Sequence, residues 1–115
     1  MTISVRGDGI DVSPELGGLV ERRLSFALSR FGGRVRAVSV GLTDLNGPRG
    51  GIDKRCSMQA RLAPRGSVRV EDTDSDLPAA IDRAATRLAR AVTRALERRR
   101  EGARPPESGD RGTNP

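Results

Sequence analysis

The chain has 115 residues and a formal charge of +6, from 21 basic and 15 acidic side chains, with no histidine and a single cysteine, Cys56. That composition excludes histidine-based general base catalysis, histidine metal sites and an internal disulfide, and the length suits one domain with one core rather than a deep cleft between two. Hydrophobic residues make up 35% and aromatics 2%, so the core must be built from Val, Leu, Ile and Ala.

All the basic residues but Lys54 are arginines. A strongly basic chain suits a polyanionic partner, either nucleic acid or an anionic membrane surface. A GC-rich genome also favours Arg over Lys, so composition alone does not name the partner. No apolar run reaches the roughly 18 residues needed to span a bilayer, and MTISVRGDG lacks the basic-then-apolar layout of a signal peptide. A cytoplasmic protein is expected, with no membrane partner.

Residues 2–6 alternate, with Ile3 and Val5 on one side and Ser4 and Arg6 on the other, which predicts a short half-buried strand ended by Gly7-Asp8-Gly9. Ser13-Pro14-Glu15 predicts a helix start. Ser13 accepts a backbone N–H as N-cap, and Pro14 suits the first helical position, where its missing donor is not needed. Leu16, Val20, Leu24, Ala27 and Phe31 follow at spacings of three and four and share a face. Gly32-Gly33 is expected to end this helix.

Residues 35–43 predict a second strand with Val38, Val40 and Leu42 inward. A glycine-rich turn, DLNGPRGGID, follows. It lacks the GK[ST] ending of a phosphate-binding P-loop and precedes a strand rather than a helix, so it reads as a hairpin connection. The third strand covers 54–62, with Cys56, Met58, Ala60 and Leu62 inward, which makes Cys56 a buried thiol. APRG is a hairpin turn, and residues 67–72 predict a fourth strand with Val68 and Val70 inward. Glu71, Asp72, Asp74 and Asp76 cluster at the junction that follows and read as turn and cap residues rather than a metal site.

A long helix is predicted over 77–100, with Pro78 in its first turn. Residues 101–115 read as a disordered tail, leaving 1–100 as the domain. The order is β-α-β-β-β-α: an α+β two-layer sandwich, a four-stranded mixed sheet with two helices on one face. The first two strands, joined through a helix, are expected to be parallel.

The last helix carries the chemistry. At roughly 100° per residue, Leu77, Ile81, Ala84, Leu88, Val92 and Ala95 form one stripe, while Arg83, Arg87, Arg90, Arg94 and Arg98 form another, roughly 130° away. Five like charges at these spacings repel, and within this helix only Asp82 and Glu97 soften that repulsion. A solvated face gains nothing from such an arrangement, whereas a phosphate-bearing partner would use it. Arg98, Arg99 and Arg100 also sit where the helix dipole favours cations.

The first helix adds Arg22, Arg23 and Arg30, and Lys54 opens the third strand. Guanidinium forks match phosphate geometry. With no Trp or Tyr there is little platform for stacking bases, so the expected partner is folded RNA held by backbone and shape. Phe31 reads as core. Phe26 lies off the apolar stripe, toward Arg22 and Arg30, and is either a surface residue or a single stacking contact. No nucleophile–base pair can be assembled, and no cofactor, metal or small-molecule substrate is expected.

The element order, the segment Asp76-Leu77-Pro78-Ala79-Ala80-Ile81-Asp82 and the basic positions Arg87, Arg90 and Arg94 after it resemble the ribosome hibernation promoting factor and ribosome-associated inhibitor family, also called ribosomal subunit interface or sigma-54 modulation proteins. The likeness covers about residues 2–100, and Arg23 falls where the family has a basic residue. The family commonly has an aromatic where Pro78 stands and often a basic residue where Phe26 stands. Nothing here matches the C-terminal dimerisation domain of the long form.

The resemblance implies a non-catalytic factor that docks on the small ribosomal subunit, between head and body, overlaps the mRNA and tRNA sites, and reversibly silences translation in stress or stationary phase. Off the ribosome a monomer is expected. Two other readings fit the residues: a general double-stranded RNA module, and a regulatory interaction domain for an acidic protein partner.

Overall fold

The computed structural model describes residues 1–45 and 53–102. The order is β1 (Thr2–Asp8), α1 (Pro14–Leu28), a 3-10 segment (Ser29–Arg34), β2 (Val35–Asp44), β3 (Lys54–Leu62), β4 (Ser67–Asp74) and α2 (Leu77–Gly102). The four strands form one sheet in the order β1-β2-β3-β4. β1 and β2 run parallel, and the other two pairs are antiparallel. This is the expected α+β two-layer fold.

The register aligns the apolar positions on one face. Ile3 and Val5 pair with Val38 and Val40, Val40 with Met58, and Met58 with Val70. Val20, Leu24 and Leu28 of α1, and Ile81, Ala84, Leu88 and Val92 of α2, close over that face to complete the core. α2 packs on β3 and β4, and α1 lies beside α2. Ala80, Ala84, Ala85 and Ala89 are all buried on α2. Their small side chains let the helix come close to its neighbours, which is how a core nearly without aromatics fills its volume.

Several boundaries differ from the sequence expectation, each for a local reason. β1 continues through Gly7 and Asp8, which pair with Leu42 and Thr43. Gly7 is needed there because a Cβ would stand 2.0 Å from the Ile10 carbonyl oxygen as the chain folds back. α1 stops at Leu28, before Gly32-Gly33, and the 3-10 segment carries Phe31 into the core. Gly32, at φ 59°, makes the turn. Val35 and Val38 are both buried although their spacing is odd. A register shift between Val35 and Ala37 makes this possible by taking up one residue.

Ser13 caps α1 as expected, its hydroxyl oxygen accepting from the Leu16 N–H at 3.1 Å. β4 extends two residues past its expected end, to Asp74 opposite Lys54. Of the glycine-rich connection, residues 46–52 lie outside the described residues; its ends meet where the Leu45 N–H donates to the Asp53 carbonyl at 3.2 Å. The tail expected over 101–115 lies outside them from residue 103 onward. No helix among the described residues is long and apolar enough to cross a membrane.

Candidate nucleic-acid interface

Arg83, Arg87, Arg90, Arg94 and Arg98 are all exposed on α2. They divide into two groups because of where β4 ends. Pairing with Cys56 turns Asp72 onto the helix-bearing face, against the first turns of α2. Arg83 donates to Asp72 Oδ1 from Nε at 3.1 Å and from Nη2 at 3.0 Å, and to Asp74 Oδ2 at 2.7 Å. The same guanidinium donates to the Thr73 carbonyl at 3.3 Å. Arg87 donates from Nη1 to the Glu71 carbonyl at 2.6 Å and to Asp72 Oδ2 at 3.4 Å.

The repulsion along the ridge is therefore softened at its N-terminal end, from β4 and not from within the helix. The two carboxylates respond as expected. Hydrogen bonds from Arg83 hold the Asp72 carboxyl below the usual carboxylate range, against the opposing effect of its burial. The backbone N–H of Asp76, followed by Arg83, does the same for Asp74. Asp74 is thus both a turn residue, accepting from the Asp76 N–H at 2.8 Å, and an arginine partner. Arg83 is pushed further up by Asp72 and Asp74.

Beyond this clamp the character changes. Among the described residues Arg90, Arg94 and Arg98 make no hydrogen bond or ion pair. Arg87, Arg90 and Arg94, with Ala91 between them, form one wall of a groove of about 650 Å³ whose other wall is Arg69, Val70 and Glu71 of β4. Arg69 was not among the candidates read from the sequence. It lies on β4, a strand at the sheet edge, so its side chain reaches this groove, with Glu71 2.9 Å away. An arginine between two inward valines was the signal the sequence held.

Arg23 of α1 and Arg30 of the 3-10 segment approach α2 on its other flank. Arg23 Nε lies 2.5 Å from Asp82 Oδ1. Arg30 donates to Thr93 Oγ1 at 3.2 Å and lies over the Phe31 ring, 4.7 Å from its centroid. Arg22 is exposed and unpaired among the described residues, as is the ring of Phe26. Lys54 stands apart from these groups, at the start of β3, with Asp44 at 4.0 Å. Arg99 is structural: it reaches the β3–β4 turn and donates to the carbonyls of Ala63, at 2.6 Å, and Arg65.

The cationic surface thus has a fixed part and an available part. Arg83, Arg23 and Arg30 are engaged by neighbouring side chains, and Arg87 is shared. Arg90, Arg94, Arg98 and Arg22 offer unspent donors. Such an array suits the oxygens of phosphate groups, which accept bidentate guanidinium bonds.

Comparison with known proteins bears on the fold and the family. No curated protein matched the chain. The N-terminal domain of Protein Y from Thermus thermophilus has a similar structure, with a TM-score of 0.69 and 32% identity over 83% of this chain and 99% of that one. A ribosomal subunit interface protein from Coxiella burnetii shares the fold, with a TM-score of 0.69 and 17% identity over 84% of this chain and 99% of that one. The model of the sigma 54 modulation protein / S30EA ribosomal protein family matches residues 3–100. That match takes in both helices and all four strands but for the first residue of β1 and the last two of α2, and the chain belongs to this family.

Proposed function

We propose that residues 1–100 bind the small ribosomal subunit without catalysis, seating rRNA phosphates along the groove between α2 and β4, and that the bound protein reversibly silences translation by occupying the mRNA and tRNA channel. The observation that carries this reading is the groove itself: Arg87, Arg90 and Arg94 face Arg69 across it, and Arg90 and Arg94 have no acidic partner among the described residues. Membership of a ribosomal protein family supports the choice of partner. Arg22, Arg23 and Arg30 extend the contact on the α1 side, and Lys54 adds a peripheral one. The protein acts in the cytoplasm, as a monomer when off the ribosome.

Co-sedimentation with purified small subunits over a range of salt tests the reading. About five phosphate contacts give a log–log salt slope of roughly −3.5 to −4.5. The Arg90→Glu/Arg94→Glu variant is expected to lose binding while keeping its circular dichroism spectrum. Binding that ignores salt, or that survives this double reversal, refutes it. Equal affinity for any RNA duplex identifies a general double-stranded RNA module instead. Capture of the partner after nuclease treatment identifies an acidic protein.

A further inference from the structure

We propose that Phe26 is a stacking platform for one unpaired base, placed so that the same nucleotide is held by its phosphate on Arg22. The proposal rests on the RNA-binding reading above and adds to it a contact with a base. Phe26 is 89% exposed, by far the most exposed large hydrophobic side chain described, against 52% for Met1 and 41% for Leu45. It is not a misplaced core residue. Val20, Leu24 and Leu28 supply the apolar face of α1, and at roughly 100° per residue Phe26 stands roughly 150° from the middle of that face.

Its surroundings select the occupant. Phe26 follows Arg22 by one turn of α1 and Arg23 by three residues, so both are its neighbours on the helix surface. Arg23 is tied to Asp82 of α2, and Arg30 to Thr93. The Arg23 link holds the α2-facing edge of α1 in place beside the ring. An apolar protein pocket closing over Phe26 would have to strip water from the adjacent guanidiniums, at a cost that ring burial does not recover. A nucleotide meets both demands, with its base face on the ring and its phosphate on Arg22. The base must be unpaired, because a base inside a duplex offers no free face.

The chain has no Trp or Tyr, so Phe26→Trp supplies a sole indole reporter at the site. The experiment measures binding to purified small subunits for the wild type and for Phe26→Ala, Phe26→Leu and Phe26→Trp. Phe26→Ala is expected to weaken binding by about 5- to 160-fold, the range for loss of one base stack. The salt slope should stay unchanged, because no cation is lost. Phe26→Leu should weaken it nearly as much, and Phe26→Trp should bind at least as well as wild type with its emission quenched. Wild-type affinity for Phe26→Ala or Phe26→Leu overturns the proposal, as does bright, blue-shifted indole emission, which marks an apolar pocket. Absence of wild-type binding removes the RNA-binding reading and this proposal together, whereas wild-type binding unaffected by the variants removes this proposal alone.

Discussion

Arg83 grips Asp72 through two nitrogens of one guanidinium, Nε at 3.1 Å and Nη2 at 3.0 Å from the same carboxylate oxygen, and so ties the first turns of α2 to the end of β4. The Asp72 side chain is only 11% exposed, whereas that of Arg83 is 49% exposed. The pair is therefore an architectural contact. Asp72→Ala should lower unfolding free energy by about 1 kcal/mol, less than the usual value for a charge-assisted bond because Arg83 is half in water. Arg90→Ala, which breaks no such contact, should stay within about 0.5 kcal/mol of wild type. Urea titration followed by circular dichroism measures both, and equal effects would argue against the division between fixed and available arginines.

Acid should act through the same clamp. Asp72 and Asp74 have carboxyls held below their ordinary range when folded. Their contribution to stability is complete above the unfolded carboxylate range, about pH 4, and is lost as pH falls through the depressed folded values. The urea midpoint should therefore change little from pH 7 to 5 on their account and fall below about pH 4. In Asp72→Asn/Asp74→Asn the acid drop should be shallower. An identical drop would assign it to other groups.

The core prediction concerns Leu88, fully buried on α2 beneath the arginine ridge. Leu88→Ala should cost about 2 to 5 kcal/mol, the loss of transfer energy plus the cavity left behind. Thermal unfolding monitored by circular dichroism measures this. Where the variant remains folded, its salt-dependent binding should be unchanged, because no groove residue is altered.

Cys56 is fully buried on β3, and burial, then the nearby Asp72 charge, pushes its thiol up to about 12. Its thiolate fraction at neutral pH is negligible. A disulfide-exchange reagent at pH 8 should leave the native protein unmodified and label it stoichiometrically in denaturant. Rapid native labelling would show that β3 opens locally.

Much of this fold was legible because its elements obey simple periodicities. Val38, Val40 and Leu42 alternate, as do Cys56, Met58, Ala60 and Leu62, and the structure places both sets inward. Ser13-Pro14 begins α1 as its residue types require. Other features depended on tertiary partners. The extension of β4 to Asp74 required β3 opposite it, and although alternation with Val68 and Val70 puts Asp72 on the inward face, its meeting with Arg83 and Arg87 required α2 packed on β4. Helical spacing therefore gave the outward direction of the arginines but not the division among them, which is set by acids distant along the chain. Arg69 was missed for the same reason: alternation says which face a strand residue takes, not that its strand is an edge beside a helix groove.

The hydrogen bonds from Arg83 and Arg87 to the main-chain oxygens of Thr73 and Glu71 have a consequence beyond charge. An outermost strand with bare acceptors is a template on which another copy can add itself and grow a continuous ribbon. Here two of those acceptors are already occupied by long side chains from the protein's own helix. The border of the sheet is guarded where it runs into α2, which disfavours the addition of a second copy's strand at that end.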